Sequence, residues 1–163
     1  MNAVKQLINE RLFIVDSTVT IIGEFTILWQ LFEKKYCGKF CRIGKLENIA
    51  NSASKTDHDG ALTQTIANFR TGVTDWATPL KFDLNNVATK FRFETKALAQ
   101  KATDFLSNTE KDFAKQVHGA LLVLYRLRNN LLHGEKEEYL FNNQADMFIR
   151  ATGVLFALHN LKP

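Results

Sequence analysis

Apolar side chains return every three or four positions along most of the chain, and no stretch shows the polar–apolar alternation that a half-buried strand needs. That regularity confines the fold to helices. Val4, Leu7, Ile8, Leu12 and Val15 recur at helical spacing, as do Ile22, Phe25, Trp29, Phe32 and Tyr36, so residues 3 to about 36 read as one long helix or two in line. Asp16 or Ser17 is placed to cap the second, and the β-branched run over 18–22 is its weakest part. Residues 43–53 predict a short helix, 54–60 a polar loop and 61–69 another short helix, after which Gly72 and Pro79 bracket an irregular link. From about Leu84 the pattern resumes through Val87, Phe91 and Leu98 to Phe105 and Leu106. Residues 107–109 interrupt it, Asn108 or Thr109 caps a helix over 110–133, and a last helix covers roughly 143–160 with Met147, Val154, Phe156 and Leu158 as packing residues. The expectation is an all-α, up-down bundle of about five main helices, forming a single domain over 1–163.

Charge and cysteine usage narrow the function classes. The net charge of +4, from 21 Lys and Arg against 17 Asp and Glu, permits a nucleic-acid partner without demanding one. Thirteen Phe beside only 3 Tyr and 2 Trp read as core filling, not as a stacking platform. Asp16 and Glu24 interrupt the apolar runs near the N-terminus, and no uncharged stretch approaches the ~20 residues of a membrane span. A soluble, cytoplasmic protein with no membrane partner is therefore expected. Cys37 and Cys41, four apart, make half a zinc site at best and are expected as reduced thiols. His58 between Asp57 and Asp59 reads as a solvated loop, because adjacent loop residues rarely converge on one ion; no metal and no cofactor are expected.

Residues 34–45 hold Lys34, Lys35, Lys39, Arg42 and Lys45 with no acid among them, and Tyr36 and Phe40 are interleaved. Basic and aromatic residues together suit a strand of RNA, by phosphate contact and stacking. Lysines at the end of a helix also offset its dipole, and that reading is preferred.

The stretch with most chemistry is 124–136, LYRLRNNLLHGEK. On an ideal helix Asn129 and His133 lie about 40° apart, whereas Arg128 sits about 140° from His133, inside the arc of Val117, Leu121, Leu124 and Leu132. A guanidinium keeps its proton and is rarely buried without a partner. Arg128 therefore either pairs with a carboxylate such as Glu24 or Glu94, or the arc lines a cleft or subunit interface where Arg128 meets a phosphate. Gly134 can end the helix at His133, where an imidazole is suited to exchanging protons near neutral pH; a lone His there would only cap the last carbonyls.

Arg128-Asn129-x-x-x-His133, at the end of a late helix in a helical chain, resembles the signature of the HEPN superfamily, small all-helical domains of which many are metal-independent ribonucleases. The resemblance implies Arg128, Asn129 and His133 as catalytic residues, with Arg126, Asn130 and Lys136 beside them as RNA contacts. It implies cleavage by attack of a 2′-hydroxyl on its own phosphorus, leaving a 2′,3′-cyclic phosphate and a 5′-hydroxyl and sparing DNA. The implied setting is toxin or antiviral defence, with an antitoxin or regulatory protein as a further partner. Catalytic members join two motifs in a composite cleft, so a homodimer is expected; Leu122, near the face of Asn129 and His133, points to an interface that includes 110–133. HEPN toxins paired with a small nucleotidyltransferase carry Tyr two residues after the His, where this chain has Glu135. The alternative is a catalytically silent HEPN module that binds a partner protein or nucleotide.

Overall fold

The structure, a computed structural model, describes residues 3–12, 15–77, 92–132 and 144–162. Seven α-helices account for most of these: α1 (Ala3–Leu12), α2 (Asp16–Phe32), α3 (Leu46–Thr56), α4 (Ala61–Ala77), α5 (Lys96–Leu106), α6 (Phe113–Leu132) and α7 (Ala145–Asn160). A π-helical turn over Glu33–Cys37 extends α2, and a 3₁₀ turn over Ile43–Lys45 leads into α3. No strand occurs among the described residues, and no described helix is long and apolar enough to cross a membrane. The fold is an all-α bundle.

Side-chain caps fix the starts of α4, α5 and α6, whereas α2, α3 and α7 open without one. α2 opens at Asp16 without a side-chain cap; the Val15 carbonyl accepts from the Thr18 and Val19 amides. In the β-branched run Thr18 is buried, Ile21 and Ile22 pack half-buried against the core, and the exposed Thr20 bonds back to the Asp16 carbonyl. α3 continues through Thr56, past the expected loop start at 54, and α4 extends to Ala77, well beyond 69. Asp57 ends the ambiguity of the Asp-His-Asp sequence. Its two carboxylate oxygens accept the Leu62 and Thr63 amides at 3.0 and 2.8 Å, and Asp59 accepts the Ala61 amide, so both acids cap α4. α5 begins at Lys96, capped by Thr95 Oγ1, and Arg92 has a positive φ of 51° just ahead of it, so one helix does not run on unbroken to Leu106. Residues 84–91 of that expectation, and Pro79, lie outside the described residues. α6 is capped by Asp112, not by Asn108 or Thr109.

Gly72 does not begin a link; it lies inside α4. A Cβ there would stand 2.5 Å from Cδ of Arg150, whose guanidinium crosses α4 to donate to the Asn68 carbonyl and to Asp146.

α6 organises the interior. α3, α4 and α5 all pack on it, while α7 packs against α2 and α4. Residues 117–124 are buried on every side of the helix, as an element surrounded by others requires. Gly119 lets α5 approach: an added Cβ would meet the Phe105 Cβ at 2.8 Å and the Leu106 backbone amide at 3.1 Å. On the other side Phe25 stacks edge-on against Phe148, joining α2 to α7, and Trp29 reaches Tyr125 of α6. α7 ends under a clamp from the basic segment, where Lys35 Nζ donates to the carbonyls of Leu158, His159 and Leu161 and the Tyr36 hydroxyl donates to Leu158. Burial pushes the Tyr36 hydroxyl up to about 12.

Candidate functional site

The apolar arc of α6 that carries Arg128 runs out of the core at a cleft. Arg128 and Leu131 form one wall, and α2 with the π turn that extends it forms the other through Phe25, Trp29 and Glu33, which stand four residues apart. The loop after the π turn closes it with Lys39 and Phe40. The cavity measures about 370 Å³. Three of its lining groups, Lys34, Lys39 and Arg128, are cationic and one, Glu33, is a carboxylate.

Arg128 is held from two sides. Its Nη1 donates to Asn129 Oδ1 at 2.9 Å, and its Nη2 stands 3.8 Å from Glu33 Oε1, too long for a hydrogen bond. Its side chain keeps 25% of its surface and that of Glu33 only 10%. The carboxylate near Arg128 is thus neither Glu24 nor Glu94. Glu94 pairs instead with Arg126 at 3.0 Å.

Asn129 is 5% exposed, and its side chain orients Arg128 through that hydrogen bond. Asn130 is fully buried, and Arg126 is 6% exposed and tied to Glu94, so neither expected RNA contact opens onto the cleft. Both are buried by the packing of the bundle, Arg126 against Glu94 from the segment ahead of α5, which the isolated helix could not disclose. Leu122 is likewise covered within the chain, at 2% exposure beside Ile43, Phe93 and Leu98. Its burial needs no second protomer, which removes the reason for an interface there. His133 and Lys136 lie outside the described residues.

Glu33 was not among the expected site residues. The available signal was its place on the Phe25–Trp29 stripe, the mirror of Arg128 in its own apolar arc: two opposite charges on two apolar stripes. The π turn and Gly38, at φ +74°, fold the chain back over Glu33 so that the Cys41 amide donates to Oε1 at 3.1 Å. The same reversal brings Cys37 and Cys41 together, with Cα atoms 5.2 Å apart, and they are joined as a disulfide, not free thiols as expected. The basic segment divides its work: Lys35 caps α7, not its own helix, and Lys34, Lys39 and Phe40 line the cleft.

A second hollow, about 160 Å³, holds His118 with Glu47 and Lys101. Burial lowers the His118 pKa below its usual 6.5, with Lys101 acting the same way and Glu47 opposing. His118 also packs at a tilt against the Phe105 ring and is buried, which makes it a core histidine. Among the described residues no group of His, Cys, Asp and Glu is disposed to hold a metal ion. No family model, curated protein or solved structure matches this chain.

Proposed function

We propose that the chain is a metal-independent endoribonuclease of the HEPN type, acting through Arg128, Asn129 and His133. The observation that carries this reading is the place of Arg128: a partly exposed guanidinium at the wall of a cavity that also presents Lys34, Lys39 and the exposed ring of Phe40. That is a surface for one strand of RNA, by charge and stacking.

In this reading His133 moves the proton between the attacking 2′-hydroxyl and the leaving 5′-oxygen, and Arg128 stabilises the charge that builds on the phosphorane oxygens. Asn129 holds the Arg128 fork toward phosphate. The nucleophile belongs to the RNA, so neither an external water nor a metal ion is required. A homodimer that joins two motifs, a role in toxin or antiviral defence, and an antitoxin or regulatory partner belong to the same proposal.

One observation favours the silent module instead: the Glu33 carboxylate, 3.8 Å from Arg128, partly neutralises the guanidinium that a phosphate would seek. The deciding experiment incubates the purified chain with mixed RNA and, separately, DNA in EDTA. Cleavage to 2′,3′-cyclic phosphate ends, lost in His133→Ala and absent on DNA, is expected. Intact RNA selects the silent module, and equal cleavage by His133→Ala overturns the proposed mechanism.

A further inference from the structure

A carboxylate in a cavity built for phosphate is a cost unless the ligand has something for it. Glu33 accepts the Cys41 amide and faces Arg128 through Oε1, while among the described residues Oε2 accepts no hydrogen bond. The cavity, about 370 Å³, falls at the small end of the roughly 300–1,000 Å³ typical of ligand sites, room for one nucleoside and not for a folded strand. Phe40, 68% exposed, offers a ring face at its rim, and Lys34, Lys39 and Arg128 supply positive charge.

We propose that this cavity is a guanine-selective nucleobase site in which the Glu33 carboxylate reads the base edge, Phe40 stacks on it, and Arg128 is left for the adjoining phosphate. The proposal rests on the reading that the cleft takes RNA. Guanine alone among the four bases presents two neighbouring donors, N1–H and the N2 amine, and a carboxylate is a double acceptor that meets both. Adenine offers one donor beside a ring acceptor, and so does cytosine. Uracil sets a single N–H between two carbonyls that a carboxylate repels. The arrangement therefore selects the nucleotide whose phosphate is presented to Arg128, and it places cuts on the 3′ side of guanosine.

The test is calorimetric titration of the full chain with the 3′-monophosphates of guanosine, adenosine, cytidine, uridine and inosine, in parallel with mapping of RNA ends. Guanosine monophosphate should bind about 5- to 100-fold tighter than the other three standard nucleotides, the discrimination of one good bidentate contact. Inosine, which keeps N1–H and lacks the N2 amine, should fall between. Glu33→Gln keeps an acceptor for the Cys41 amide and presents one acceptor and one donor, so it should lose the guanine preference and gain affinity for adenosine monophosphate. Phe40→Ala, at an exposed position, should keep the fold and weaken every nucleotide by about tenfold or more. Equal binding of the four standard nucleotides, no binding at millimolar concentration, or a guanine preference that survives Glu33→Gln overturns the proposal. Guanine-selective binding without RNA cleavage sustains this site and removes the nuclease, whereas cleavage with no base preference at the cut does the reverse.

Discussion

Arg128→Ala separates a working guanidinium from a structural one, and the structure sets the scale of each outcome. The hydrogen bond to Asn129 Oδ1 at 2.9 Å is charge-assisted and worth about 1.5–3 kcal/mol. The Glu33 contact at 3.8 Å, on a side chain that keeps a quarter of its surface, adds at most about 1 kcal/mol in solvent. Glu33 is not abandoned by the change, because the Cys41 amide still donates to it. The net loss is about 1.5–4 kcal/mol, which at roughly 3 °C per kcal/mol lowers the melting temperature of a chain of this size by about 5–12 °C. Loss of transition-state charge stabilisation should meanwhile reduce cleavage by about 10²–10³-fold. Arg128→Lys should recover more of the stability than of the cleavage, since an ammonium cannot make the planar contact with phosphate. The assay is paired, with thermal melting followed by circular dichroism and cleavage of a labelled RNA for each variant. A variant that cleaves like the original chain refutes the assignment. So does a fall in melting temperature beyond about 15 °C, which would make Arg128 a structural ion.

Gly119→Ala should destabilise by about 1–3 kcal/mol although Ala is the better helix former, because its Cβ would press on Phe105 and the Leu106 backbone; a raised denaturant midpoint would contradict this close approach of α5. His118 has a folded pKa below the ordinary 6.5, so on acidification below 6.5 the unfolded chain takes a proton that the native chain refuses. Stability contributed by this group is thus lost as the pH falls through that window, and His118→Gln should flatten the melting temperature between pH 7 and 5; an unchanged slope would place the effect elsewhere. The Asp57 pKa is lowered: burial opposes this, but the bonds from Thr63 and Leu62 and the nearby His58 outweigh it, so its contribution is lost only as the pH falls through and below the ordinary 3.8, and Asp57→Ala should remove that acid-side loss. Lys35→Met removes three bonds to the end of α7 and should lower the melting temperature by about 3–8 °C, and a silent substitution would show that the clamp carries no stability.

The helical class was legible in the sequence because periodicity is a local property: a helix must turn one stripe inward whatever it meets. The α2 and α6 stripes were readable residue by residue; on α7, Met147, Val154 and Leu158 are buried as expected but Phe156 faces outward, 59% exposed. So was the anomaly of Arg128, a charge standing in an apolar arc. Helix ends were less legible, since Asp57 and Asp112 cap through side-chain bonds that compete with equally good candidates nearby. Only the tertiary structure decided what each face of α6 meets. A single helix gives the angle between Asn129, Asn130 and Arg126 but not that Asn130 is fully buried in the fold or that Arg126 meets Glu94, from the segment ahead of α5. The partner of Arg128 was hidden for the same reason: Glu33 is 95 positions away in sequence and comes beside it only because α2 lies along the open end of the arc. Burial and charge pairing between distant segments depend on how helices pack, and packing is settled by the whole chain at once.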